Sequence, residues 1–401
     1  EWMYTQRVIP DAGLAFAPVE AALADSFLPA LLQEPAAATA VLRKQLALPV
    51  RRAGLGVPDP QRTAKRCYTA SRACTGELIR SLRAGDALDV QAHAAWASLH
   101  RRRLQKEKTK EEETTLSRLC LAARPATTRR IRRSQETGAW LTAMPNSLNG
   151  TELSEEEFRN NLRLRFGLAP LSLPARCDCC DVAFTVGHAL TCKKGGLVLL
   201  RHNNMVAEWH QLCAAALTPS AVSDEPFIFS GRDGIEAQGP AAELPPDLHG
   251  NVAAHGFWKR RTTAIFDIRV TDTDARSAHG LDPAKILKRH EKEKRDKYLE
   301  PCLARRRHFT PLVFSVDGLR GTEAQAASKR LASRLSTKWK RTYSEVCGFV
   351  RSRLSVALAR STSLCLRSAR DPSARKPSYQ WDSGSYTAPH TPTTHPGYLS
   401  R

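Results

Sequence analysis

Between residues 177 and 192 the chain places Cys177, Cys179, Cys180, His188 and Cys192. No other stretch restricts the fold so tightly. The spacing Cys177-x2-Cys180-x7-His188-x3-Cys192 offers three thiolates and one imidazole, the ligand set of a tetrahedral Zn2+. The short gap lets one turn present two sulfurs to the same ion. The longer gap closes a loop, and a helix would put His188 and Cys192, four apart, on one face. Cys179 is a spare thiol that can exchange with Cys177. Chance clustering of buried cysteines explains the pattern less well. A closed site of this type is structural, and it would staple a segment too small to fold on its own core.

The other cysteines are scattered, and the total of 11 is odd. Both facts argue against a disulfide framework and for a reducing compartment. No uninterrupted run of apolar residues reaches the length of a bilayer span, so no membrane partner is expected. Nor does a signal-peptide pattern follow Glu1. A chain that begins at Glu1 rather than Met is expected to be a piece of a longer protein.

Sixty-one Lys and Arg face 40 Asp and Glu, a net charge of +21. That balance attracts polyanions, of which DNA and RNA are the commonest. The basic residues are unevenly spread. Arg129, Arg130, Arg132 and Arg133 have few acids nearby and are candidates for phosphate contact. Arg101 to Glu113 is a mixed-charge run, read as the solvated face of a long helix over 89–121.

Apolar periodicity predicts helix over 18–50 and 60–83. Ser154 and Glu157 form a capping box that opens another, ended by Gly167. From residue 225 the texture changes to short strands at 227–229, 263–270 and 309–316, with a charged helix over 283–307 before the last. Residues 322–368 return to helix. The final stretch, rich in Pro, Ser and Thr, is expected to be disordered.

The strand at 263–270 carries the second candidate site. Side chains alternate, so Ile265, Asp267 and Arg269 share one face, and Phe266, Ile268 and Val270 the other. A carboxylate in so apolar a strand needs a reason, because desolvating a charge is costly. Asp247 follows Pro246 and is expected on the other arm of a hairpin. Two aspartates brought together can hold Mg2+ through hard oxygen ligands, and that ion can activate water against a phosphodiester. Pro246-Asp247 with Asp267-Ile268-Arg269 follows the logic of a PD-(D/E)xK centre. Arg269 can stabilise phosphate charge but cannot act as a general base. Lys285, Lys288 and Lys292 share a helical face and could supply the positive charge.

Several further elements occur in a fixed order: Cys192-Lys-Lys-Gly-Gly-Leu-Val, Arg201-His202, Asp224-Glu225-Pro226, Pro246-Asp247, Phe266-Asp267-Ile-Arg-Val, and Phe309 to Gly318. Together they resemble the C-terminal part of non-LTR retrotransposon polyproteins that carry a restriction-like endonuclease. Leu46 to Val57 is similar to the segment that follows the reverse-transcriptase thumb, and Tyr343 to Ser355 to the family's tail. The resemblance covers roughly residues 1–370.

This resemblance implies a CCHC zinc knuckle at Cys177, Cys180, His188 and Cys192. It implies a positioning role for Arg201 and His202, an upstream acid at Glu225, and metal-binding aspartates at Asp247 and Asp267. The implied reaction is Mg2+-dependent nicking of target DNA in the nucleus, leaving a 3′-OH for reverse transcription of the element's RNA. Leu244-Pro245-Pro246 stands where a basic residue often precedes Pro-Asp, and Arg269 where many nucleases have Lys. No Tyr/Phe-x-Asp-Asp polymerase centre is present in the sequence.

The expected fold is therefore α/β with a large all-helical N-terminal part and a restriction-endonuclease-like core preceded by the knuckle. The boundaries are a post-thumb segment at 1–60, a basic helical region at 61–170, the knuckle at 171–200, the endonuclease at 201–320, terminal helices at 321–370 and a tail at 371–401. The rival is a zinc-bearing nucleic-acid-binding fragment with no catalysis.

Overall fold

The computed structural model describes residues 2–229, 247–275, 278 and 280–371. Two compact units emerge. One comprises the described residues up to Glu136 together with Arg165–Gly167; the other comprises Thr137–Leu164 and the described residues from Leu168 onward.

Every regular element of the first unit is helical among its described residues. The helix expected over 18–50 is instead broken into Ala17–Ala22, Leu28–Leu32 and Ala36–Ala47, with a π-turn at Leu23–Phe27. Pro35 and the left-handed Gln33 (φ 53°) interrupt it, since proline removes a helical donor and fixes φ. The run Leu14–Leu32 is long and apolar enough in composition to cross a membrane, although no unbroken apolar stretch was expected. It contains Glu20, whose carboxylate accepts two 2.7 Å hydrogen bonds from Arg43.

Thr75 splits the helix expected over 60–83 into Pro60–Cys74 and Gly76–Ala84. The long helix is present as Val90–Ala122, opened by Asp89, whose side chain accepts from Ala92 N at 2.9 Å. Most of its mixed-charge run is exposed, as expected, and Glu112 is the buried exception. Glu111, Glu112 and Glu113 pair with Arg66, Arg51 and Arg52 at 2.6, 2.5 and 2.5 Å.

The second unit is built on a mixed sheet. Strands β1 (Val222–Asp224), β4 (Val252–His255), β5 (Thr263–Thr271) and β6 (His308–Ser315) lie in the order β1-β4-β5-β6. The first two pairings are antiparallel, and β5 runs parallel to β6, with Asp267 opposite Pro311. A parallel neighbour requires a crossover. The Pro283–Ala304 helix supplies it, opened by Asp282, whose side chain accepts from Ala284 N at 2.9 Å and Lys285 N at 3.3 Å. A separate pair, β2 (Phe227–Phe229) with β3 (Leu248–His249), completes the strands.

The alternation read along β5 sets the layers. Ala264, Phe266 and Ile268 enter a core with Trp209, Leu331 and Leu354, from the Leu197–Ala216, Thr322–Trp339 and Tyr343–Arg367 helices. Ile265 faces the other way, against Tyr298, Cys302 and Phe309, with Ile228 of β2 and Leu248 of β3. Helices thus cover one face of the sheet, and the crossover helix with the β2–β3 pair covers the other.

The segments expected as knuckle, endonuclease and terminal helices are not separate in packing. Cys177, Phe184 and Cys192 share a cluster with Leu366, and Leu190 and Leu197 share one with Val316 and Cys365. The capping box holds: Ser154 N donates to Glu157 at 2.9 Å and Glu157 N to Ser154 at 3.2 Å. Pro246 and the tail from residue 372 onward lie outside the described residues.

Candidate functional site

The cysteine cluster begins as a tight hairpin. Arg176 bridges Ala183, Cys177 N donates to Val182 O at 2.9 Å, and Asp181 turns the chain at φ 55°. Thr185 caps the Val186–Thr191 helix by accepting from His188 N at 3.1 Å. Cys192 follows directly, its N–H bonded to His188 O at 2.8 Å. The local structure therefore returns His188 and Cys192 to the hairpin's thiols. The ligand atoms of Cys177, Cys180, His188 and Cys192 all lie within 4.8 Å of one another, and the group could hold a metal such as zinc. A tetrahedral site with Zn–S bonds of about 2.3 Å has sulfur–sulfur edges of roughly 3.8 Å, so a small contraction completes it.

Cys179 is drawn into the same cluster, 3.4 Å from Cys177 Sγ and 3.7 Å from Cys192 Sγ. The thiols are differentiated. Burial raises the Cys177 thiol, yet hydrogen bonds from the Cys179 backbone and from His188, Cys179 and Cys180 outweigh it and bring the group down to about 6. Burial and its contacts with Cys177 and Cys192 push Cys179 up to about 12. The backbone hydrogen bond to Val182 lowers Cys180, yet burial and Cys177 outweigh it, so Cys180 is raised too. The lowering therefore singles out Cys177 and not the whole candidate ligand set. Arg370 closes over the hairpin: its N–H donates to Asp178 at 2.6 Å and its guanidinium stacks on Phe184 at 4.6 Å.

At the centre of the sheet Asp267 is 4% exposed. Lys294, from the Pro283–Ala304 helix, brings its Nζ to 2.6 Å from Asp267 Oδ2. The approach is that of an ion pair, and no hydrogen-bond donor is aligned on that oxygen. Arg269, two residues along the same face, is drawn instead to Glu293 at 2.7 Å. The base beside the acid is therefore Lys294, rather than Arg269 or the exposed Lys285, Lys288 and Lys292. Lys294 also lies 5.5 Å from the Tyr298 ring centre, and Tyr298 stacks on Phe309.

His202 belongs to this group. Burial holds its imidazole below the ordinary range; Asp267 pulls it up, while Lys294 and Arg201 push it down. Those mutual effects put His202 within electrostatic reach of the Asp267–Lys294 pair. Arg201 is placed differently from the expected phosphate contact. It is 2% exposed and donates to Leu190 O at 3.0 Å, which makes it part of the framework joining the Cys/His cluster to the Leu197–Ala216 helix.

Asp247 is exposed and immediately precedes Leu248. Leu248 packs with Ile265 and Tyr298, which puts β3 on the sheet face that carries Asp267. Among the described residues, Asp247, Glu225 and Asp267 do not form a group close enough to share an ion. Asp247 precedes β3, whereas the expected hairpin arm is β4. Glu225 is exposed, turns the chain at φ 43°, and donates its N–H to Asn251 O at 3.0 Å. Asn251 in turn grips β5 on both sides of Asp267. Its N–H donates to Phe266 O at 2.9 Å, and its side chain accepts from Ile268 N at 2.6 Å. Arg132 is exposed, while Arg129, Arg130 and Arg133 are half-buried on the Pro125–Ser134 helix.

Sequence reasoning missed Lys294 and Asn251. A signal for Lys294 was available: Ile286, His290, Lys294, Tyr298 and Cys302 recur every four residues, a stripe that faces one way on a helix. Asn251 had none, because its role is to replace a strand partner. No family model matches the chain, and no curated protein matches it either.

Proposed function

We propose that this chain is the DNA-nicking and nucleic-acid-gripping part of a polyprotein of the non-LTR retrotransposon type, with a restriction-like endonuclease core and a zinc knuckle. The observation that carries this reading is Asp267: a carboxylate buried in the central strand, paired with Lys294 at 2.6 Å, with His202 within electrostatic reach. The Asp267 carboxylate faces the Lys294 ammonium through Oδ2, and its hard oxygens are of the type that a divalent cation takes. Asp267 and Asp247 would hold Mg2+, with Glu225 assisting. The ion, when bound, polarises the phosphodiester and activates water.

The chain's own residues have separable tasks. Lys294 offers its ammonium to the charge that develops on the phosphate oxygens. Burial lowers the His202 imidazole while Asp267 raises it, and His202 would accept or donate a proton at this pair. Asn251 fixes the backbone on both sides of Asp267 and so fixes the carboxylate's direction. The net step adds water across one phosphodiester: its oxygen goes to phosphorus and a proton goes to O3′, which leaves as the 3′-OH. DNA is the substrate and the element's RNA a second partner, with the nucleus as the place of action.

A second reading, a zinc-bearing binding module without catalysis, is favoured by two ion pairs: Lys294 already faces Asp267, and Arg269 is engaged by Glu293. A plasmid-nicking assay with Mg2+ separates the two. The wild-type chain nicks, and Asp267→Ala and Lys294→Met lose at least about a hundredfold in rate, as expected when an electrostatic catalytic group is removed. Equal nicking by wild type and Asp267→Ala removes the catalytic reading.

A further inference from the structure

The turn between β4 and β5 carries Lys259, Arg260 and Arg261, all exposed. A run of bases at a hairpin tip is ordinarily solvated surface. Two observations set this one apart.

The tip is held stiffly. Phe257 is fully buried, and Trp258 Nε1 donates to Thr310 at 3.0 Å. From the Thr322–Trp339 helix, Arg330 donates to the carbonyls of Phe257 and Trp258 at 3.2 and 3.1 Å. Arg334 donates to Phe257 O at 2.9 Å and also to Gly256 O. Two guanidiniums are thus committed to fixing one turn.

Its backbone is also strained. Arg261 sits at φ 62°, a conformation that glycine adopts freely and a long side chain does not. Eight other described non-glycine residues share such a φ, so here it shows a turn held by its surroundings and bears on what Arg261→Gly would do rather than on the ligand.

The surrounding charge is of one sign. Residues 255–266 contain three Lys or Arg and no acid, and residues 324–341 contain six and no acid. Lys329 is exposed on the helix that clamps the tip.

The ligand class follows from what is missing at this surface. Among the described residues, no large apolar side chain is exposed between 255 and 263 or between 322 and 341. Anionic membranes are held by exposed aromatic and aliphatic groups beside the bases, and single strands by exposed aromatics on which bases stack. A duplex backbone needs neither; it needs positive charges at fixed positions.

We infer that the β4–β5 turn, with the Thr322–Trp339 helix behind it, is a preformed grip for the phosphate backbone of duplex DNA. It rests on the nucleic-acid reading above, but not on catalysis. Asp267 lies four residues along β5 from Thr263, about 13 Å at strand rise. Removing charge from the tip therefore leaves the Asp267–Lys294 pair in place.

The test is equilibrium binding of the full chain to a fluorescent DNA duplex across a salt series, in magnesium-free buffer with zinc retained. Lys259→Gln/Arg260→Gln lowers the slope of log affinity against log salt by about 2, as two lost phosphate contacts require. Arg261→Gly lowers it by about 1, and it melts no lower than wild type because glycine relieves the left-handed φ. Slopes and affinities equal to wild type, with melting temperatures unchanged, overturn the inference. So does loss of anionic-vesicle binding by these variants with duplex binding intact. If the wild-type chain fails to nick plasmid yet the slopes fall as stated, the catalytic reading is lost and this one stands.

Discussion

Glu208 and Arg353 are each about 1% exposed at the side chain and joined by two 2.8 Å hydrogen bonds, a full fork-to-carboxylate match. A third donor goes to Asn149 O at 2.6 Å. The pair ties the Leu197–Ala216 helix to the Tyr343–Arg367 helix, and Gly150, at φ 59°, leaves room for the guanidinium. Such a pair contributes little net stability, but breaking it strands a buried charge. Arg353→Met is expected to cost about 3–5 kcal/mol in denaturant unfolding. The double variant Glu208→Leu/Arg353→Met recovers most of that, and a double variant as unstable as the single one contradicts the account. At this scale the sequence was legible only in part. The four cysteine and histidine ligands are read from spacing alone, since a short loop permits few geometries. Asp267 is read from its apolar flanks. Its partner is not, because pairing across a sheet and a helix depends on how the helix is rotated. Lys292 and Lys294 differ by two residues, and helical rotation leaves one exposed and turns the other to the acid.

The element that positions the site is β5. Its pleat sends Ile265 and Asp267 to the crossover helix and Phe266 and Ile268 to the main core, as the alternation requires. What the strand cannot supply is its own edge register beyond β4. Gly250 and Asn251 do that. A Cβ on Gly250 would come within 2.5 Å of Ile265 Cγ2, and Gly250 N donates to Pro226 O at 3.0 Å. Gly250→Ala is expected to destabilise by about 1–3 kcal/mol, the usual cost of overpacking. It should also lower any Mg2+-dependent nicking, because the shift falls two residues from Asp267. Unchanged stability in thermal or chemical unfolding counts against so close an approach. A periodicity argument locates strands and helices well, as at Val90–Ala122 and β5. It fails on the short segments around 17–47, where prolines cut the pattern into pieces.

On the scale of the whole molecule, the Cys/His cluster is part of the second unit's core. Leu366 packs among its ligands, and Arg370 bonds to Asp178. Metal removal should therefore unfold more than a loop. Chelation is expected to lower the melting temperature of the second unit by roughly 10 °C, since a metal bound only in the folded state adds its binding free energy to stability. Cys180→Ser should do the same without chelator. A chain that melts identically with and without chelator, and contains no zinc, has no such centre. The net charge of +21 belongs to this scale too. It indicates a polyanionic partner but not where that partner binds. Composition and spacing by themselves determined the candidate ligands of the Cys/His cluster, the acid-poor segments and the two faces of β5, because each depends on neighbours close along the chain. Only the tertiary structure decided that Lys294 faces Asp267, that Asn251 braces it, and that Arg330 and Arg334 stiffen the basic turn. Those contacts join residues from 15 to 78 positions apart, and the packing of helices on a sheet, not local preference, selects which side chains meet.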